Sequence, residues 1–239
     1  MSIHPLIFDI ETIADITAET RETIASFAQG REMTAEEYAA FCPPLARVVC
    51  IAWFDVTAQT FGALYDTTLP GGGGAVEMAV DDGSETGRRF TCTPCEGESD
   101  VLRRFGTIVT QHFQRSHAAL VTYSGRGFDL PVLIHRSVRY GVTEGLALLN
   151  KAVREHRFNP QRHFDLLDSV TFYGASSRWP MAAYAIGYGH RSPKDDMDGS
   201  QVGAAVSGGR ILEVVRYCAC DVVATAQIYQ RLAAAGLIG

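Results

Sequence analysis

The sequence predicts an α/β fold with a mixed central β-sheet flanked by helices. Three observations predict it. Short β-branched and aromatic runs crowd the first third, as in Val48–Asp55 and Thr60–Tyr65. Helical and strand-like segments then alternate, and the chain closes on a long amphipathic stretch, Ile211–Ala235. Together they give the order of an early strand meander, then helix and strand in turn, then helices, which fits one domain over 1–239.

Taken in order, Leu6–Ile10 reads as a first strand that carries an acidic residue. Residues 16–40 are rich in Ala, Glu and Thr and read as helical, with a capping box at Thr34-Ala-Glu-Glu37 and a stop at Pro43-Pro44. Val48–Asp55 and Thr60–Tyr65 form a hairpin. The Gly-rich, acidic stretch from Gly71 to Gly87 reads as a flexible insertion around 70–88, followed by a strand over Arg88–Thr93. Ser99 is the expected cap of a helix reaching Ser116, with Val101, Leu102, Phe105, Ile108, Val109 and Phe113 at helical spacing. A strand over Ala118–Tyr123 precedes a helix over Phe128–Tyr140 that Gly141 stops. Further helices are expected over Glu144–His156, His163–Tyr173, Met181–Ile186 and Ile211–Ala235.

At 239 residues and 46% hydrophobic, the chain has the means to bury a core. The composition excludes a disordered, collagen-like or coiled-coil protein. No apolar run approaches the roughly 20 residues of a bilayer span. The first residues lack a basic and apolar leader before Asp9, which predicts a cytoplasmic chain. Cysteines at 42, 50, 92, 95, 218 and 220 read as free thiols, since Cys92-x-x-Cys95 lacks a second pair at zinc spacing. The net charge of −6 hides a split: 17 acidic and 5 basic residues before position 101, 10 and 16 after it. Such a split fits a molecule with one face able to meet an anion, and a chance drift of surface composition gives the same count.

Three clusters carry chemistry. In Phe8-Asp9-Ile10-Glu11-Thr12, a strand puts Asp9 and Glu11 on one face and Phe8 and Ile10 on the other. Paired carboxylates repel unless a hard cation sits between them; a strand ending in solvent gives the same pattern. In Thr122-Tyr-Ser-Gly-Arg-Gly-Phe-Asp129-Leu-Pro131, glycines allow close approach of a ligand, while Asp129 also suits a helix N-cap. In Tyr217-Cys-Ala-Cys-Asp221, Tyr217 and Asp221 share a helix face beside Leu212, Val215, Val222, Thr225 and Ile228. There the phenol could orient a water, or the pair could be a surface Asp and a half-buried Tyr.

In that order the three clusters resemble the DEDD exonuclease superfamily, and Tyr217 places the resemblance in its DEDDy branch, with the proofreading domains of B-family DNA polymerases. His163-Phe-Asp-Leu-Leu-Asp168, Asp196-Met-Asp-Gly-Ser-Gln-Val202 and Tyr217-Cys-Ala-Cys-Asp221-Val resemble the stand-alone predicted 3′–5′ exonucleases related to those domains. The resemblance implies an RNase H-like fold and two divalent ions, Mg²⁺ or Mn²⁺, held by Asp9, Glu11, Asp129 and Asp221. One ion, on Asp9, Glu11 and Asp221, would activate a water that Tyr217 orients; the other, on Asp9 with Asp129 through waters, would stabilise the leaving 3′ oxygen. The partner implied is the 3′ end of single-stranded DNA or RNA, with Thr12, Ser124, Gly125, Arg126 and Phe128 as its binding residues. Ser124 departs from the Asn that many relatives carry there, which implies a weaker grip on the terminal nucleotide.

Arg126, Arg136, Arg139, Arg154, Arg157, Arg162 and Lys194 are candidates to line a strand path, with two or three of them touching phosphate. Phe128 is a candidate to stack on a base or to fill the core. His163 and Asp165 read as supporting groups, and Asp195, Asp196 and Asp198 as a solvated loop with a turn at Asp198-Gly199. Two other functions remain open at this stage: a nucleic-acid-binding module with little turnover, and a phosphodiesterase acting on short oligonucleotides.

Overall fold

The computed structural model describes residues 3–85, 87–191 and 197–238. A seven-stranded mixed sheet runs through it: β1 (His4–Ala14), β2 (Ala46–Asp55), β3 (Thr60–Asp66), β4 (Val76–Val80), β5 (Arg88–Cys95), β6 (Ala118–Thr122) and β7 (His163–Asp165). Their spatial order is β4-β5-β3-β2-β1-β6-β7. β1, β2 and β3 form an antiparallel meander, while β6 and β7 run parallel to β1. The C-terminal ends of β1, β6 and β7 therefore open on one edge.

Strand alternation sorts β1 between two cores. Leu6, Phe8 and Ile10 face α3 (Glu98–His112), α4 (Asp129–Tyr140) and α5 (Leu146–Arg154). Ile7 faces the opposite layer of α6 (Leu166–Val170), α7 (Met181–Gly187), α8 (Val202–Ser207) and α9 (Ile211–Ala234). Asp9 and Glu11 share the parity of Ile7 and point toward α9. The strand register slips between Glu11 and Thr12, a bulge at the end of the acidic pair. There α1 (Ala18–Ala28) and α2 (Ala35–Phe41) pack over the end of β1. Both carry capping boxes, the second formed by Thr34 and Glu37 as the sequence predicts.

Four local expectations change. Residues 76–80 of the Gly-rich insertion form β4, paired antiparallel with β5, because Val76, Met78 and Val80 alternate inward. Helix α3 begins at Glu98 behind an N-cap Gly97, not at Ser99, since the Glu98 carboxylate turns inward. His163–Tyr173 is not one helix: β7 extends the sheet first, and Asp165 caps the short α6. Residues 16–40 break into two helices at Gly30, whose φ is +82°. Gly141 ends α4 in a left-handed conformation as expected. No helix among the described residues is long and apolar enough to cross a membrane.

Candidate active site

The acidic residues converge on the open edge of the sheet from three elements. β1 supplies Asp9 and Glu11, the first turn of α4 supplies Asp129, and the middle of α9 supplies Tyr217 and Asp221. Asp9, Glu11 and Asp221 are partly exposed to the cleft, whereas Asp129 is 5% exposed. Several lie close enough to one another to raise a neighbour's affinity for protons. Burial, then Asp129 and Asp221, holds the Asp9 carboxyl well above its ordinary range; burial, then Asp9, does the same for Glu11. Asp129 is pushed up to about 8 by burial, with Asp165 and Asp221 adding like charge. Burial lifts Asp221 to about 7, against a hydrogen bond donated by the Tyr217 hydroxyl.

This cluster fits divalent cations. Oδ2 of Asp129 is buried with no hydrogen-bond partner, an unusual state for a polar atom so deep. Ligand atoms of Asp9, Glu11 and Cys218 lie within 4.8 Å of one another. Cys218 keeps its proton, because burial and its neighbours raise the thiol. Its S–H donates to the main-chain oxygen of Asp9 at 3.3 Å and to the carboxylate at 3.6 Å. The donors left to a metal are thus hard carboxylate oxygens, the set that Mg²⁺ and Mn²⁺ prefer.

The loop between β6 and α4 is held from below. Asp165 accepts the main-chain N–H groups of Ser124 at 2.8 Å, Arg126 at 3.0 Å and Leu167 at 3.0 Å. Beneath it, Thr122 bonds the ring of His163 at 2.8 Å, and burial lowers that imidazole to about 3, so it stays neutral. His163 and Asp165 act as the supporting groups that the sequence implied. Gly125 packs directly on the acid: a Cβ there would lie 2.4 Å from Oδ2 of Asp129 and 2.5 Å from the Thr122 hydroxyl. Asp129 itself is not the N-cap of α4; that position is Phe128, and no side-chain cap bond is made there.

Other candidates are placed differently from expectation. The Thr12 hydroxyl donates to the carbonyl of Ala40 at 3.1 Å and ties α2 to the end of β1. Arg126 turns its guanidinium inward to the carbonyls of Val153, Glu155 and His163 at 3.1–3.3 Å. Arg136 must be withdrawn from the strand path. It is fully buried and bonds Glu98 at 2.6 Å, Asp15 at 2.6 Å and the carbonyl of Pro44 at 3.1 Å. Arg139 pairs with Asp15, Arg157 with Asp168 and Arg162 with Glu155. Charge counting cannot see these partners because each lies far off in sequence or beyond a turn. Arg154 is exposed on α5, and Lys194, Asp195 and Asp196 lie outside the described residues. Asp198 caps a 3-10 turn, Gly199–Gln201, that leads into α8. Cys92 and Cys95 point into opposite cores, which parts them as joint ligands, and burial raises both thiols to about 11.

Sequence reasoning missed Cys218 and Phe41. Cys218 could have been found: three residues before Asp221, it lies on the same side of α9. Phe41 left no such signal. It stands 64% exposed at the end of α2, its ring centroid 6.3 Å from that of Phe128.

Residues 79–236 match a family described as a predicted 3′–5′ exonuclease related to the exonuclease domain of PolB. The matched span holds Asp129, Tyr217 and Asp221, while Asp9 and Glu11 precede it and reach the site through the centre of the sheet. No curated protein gives a significant match.

Proposed function

Because the chain belongs to this family of predicted 3′–5′ exonucleases, we propose that it hydrolyses single-stranded nucleic acid from the 3′ end in a reaction dependent on divalent metal. The observation that carries the proposal is the convergence of Asp9, Glu11, Asp129 and Asp221 on one end of the sheet, where Asp129 and Asp221 raise the proton affinity of Asp9 and Glu11. Such a cluster is self-repelling without cations. Asp9, Glu11, Asp129 and Asp221 would hold Mg²⁺ or Mn²⁺. Bound there, the cations would lower the pKa of water and offset charge on the phosphate and on the departing oxygen.

The protein's own groups then orient and position. Burial, Asp221, Glu11 and Asp9 hold the Tyr217 phenol above its ordinary pKa near 10, so it keeps its proton and is no base. Its O–H donates to Asp221, and its oxygen is free to accept from a water and turn that water's lone pair toward phosphorus. The water oxygen bonds to phosphorus and gives up a proton to solvent, and the bond from phosphorus to the 3′ oxygen of the penultimate nucleotide breaks. That oxygen takes up a proton from solvent. The products are a nucleoside 5′-monophosphate and a strand one residue shorter. Cys218 steadies the Asp9 carboxylate by its hydrogen bonds.

The test uses 5′-labelled single-stranded DNA and RNA with Mg²⁺ or Mn²⁺, beside chelator and Asp9→Ala controls. A ladder shortening from the 3′ end, lost in both controls, is expected. Metal-independent shortening, or none with either strand, refutes the proposal.

A further inference from the structure

A groove of about 590 Å³ opens from Glu11 and runs between the end of β1, α2 and α8. One wall is aromatic: Phe41 and Phe128, with planes inclined at 55°. The facing wall is made of small residues of α8 and its leading turn, Gly199, Gly203 and Ala204 among them. A Cβ at Gly199 would stand 4.0 Å from the Tyr217 hydroxyl, so this wall begins at the reacting end of the cleft. The rim is acidic, with Glu32, Glu36 and Glu37, and Arg21 answers only Glu36. Among the described residues lining the groove, none is basic.

These features do not suit a long polyanion. A strand bound along its backbone needs cations spaced with its phosphates. Here Arg136, Arg139, Arg157 and Arg162 are engaged by carboxylates of this chain. Carboxylates at the rim lie within a screening length of any phosphate leaving the groove. A nucleobase, in contrast, suits the interior, since it has an apolar face for the rings and no charge. An exposed Phe at the end of a helix that the Thr12–Ala40 hydrogen bond ties to β1 is a platform for such a face.

Resting on the exonuclease reading above, we infer that the enzyme grips only the last bases of its substrate, stacked at Phe41, and acts on short oligonucleotides as efficiently as on long strands. Phe41 is the specificity-determining residue, and Glu32 excludes a trailing phosphate track.

The experiment compares a 5′-labelled trinucleotide with a homopolymer strand several times longer, under Mn²⁺, across a salt series. Expected are values of kcat/KM within about threefold of each other and a salt slope of no more than about one released counterion. Phe41→Ala should raise KM on the order of tenfold for both lengths with little change in kcat, and Phe41→Trp should restore it. Glu32→Lys should favour the long strand and steepen its salt slope. A tenfold preference of the wild type for the long strand, or an unchanged KM in Phe41→Ala, overturns the inference while leaving the exonuclease standing. Cleavage of neither length removes both.

Discussion

Replacing Asp129 by Asn isolates the repulsion within the carboxylate cluster. In the folded protein the Asp129 carboxyl is pushed up to about 8 by burial and by Asp165 and Asp221. In the unfolded chain it lies near the ordinary value of about 4. The folded state thus holds this proton more tightly. The stability it contributes is fully present below about pH 4 and is lost as pH rises to about 8. Across that interval the loss is about 5 kcal/mol. Asn has no charge to bury, and an incompletely satisfied amide costs about 2 kcal/mol. The net gain at pH 8 without metal is then about 3 kcal/mol. For a chain of this size that corresponds to a Tm higher by roughly 6–12 °C. Calorimetry in chelator at pH 4.5 and pH 8 measures it. The variant should match or fall slightly below the wild type at the lower pH and exceed it at the higher. Added Mn²⁺ should narrow the gap, because the wild type gains more binding free energy than a variant short of one ligand. Exonuclease activity should be lost in Asp129→Asn. A variant no more stable than the wild type at pH 8 in chelator would refute the reasoning, since Asp129 would then carry no unbalanced charge.

Gly125→Ala drives a methyl group onto the Asp129 carboxylate and the Thr122 hydroxyl, so a loss of about 2–3 kcal/mol in urea unfolding is expected, together with weaker Mn²⁺ binding by calorimetric titration. Arg136→Ala leaves Glu98 buried without its cation and should cost about 3–5 kcal/mol, read from the urea midpoint; a loss below about 1 kcal/mol would mean that the network is dispensable. Ser124 sits at φ +69°, a conformation that Asn tolerates better than Ser, so Ser124→Asn should raise stability by roughly 0.5 kcal/mol and is checked by Tm.

Much of the site could be read along the chain because its chemistry rests on local periodicities. Strand alternation alone put Asp9 and Glu11 on one face, and helical spacing put Tyr217 beside Asp221. The order of strands and helices likewise announced an α/β fold with a mixed sheet. β4 and β7 escaped because each is short: β4 lies in a Gly-rich, acidic stretch and pairs only with the next strand, and β7 owes its hydrogen bonds to β6, far earlier in the sequence. What local pattern could not contain is who meets whom. Whether an arginine faces solvent or a carboxylate depends on partners brought from elsewhere: Arg136 finds Glu98 and Asp15 only once α4 packs against α3 and the end of β1. The same holds for Phe41, an ordinary aromatic in a helix until Thr12 fixes that helix beside Phe128. It holds too for the elevated proton affinity of Asp129, which arises from depth and from like charges on other elements. Residue types and spacings therefore determined the candidate chemistry, whereas burial and long-range pairing, which exist only in three dimensions, decided which charges remain available to act.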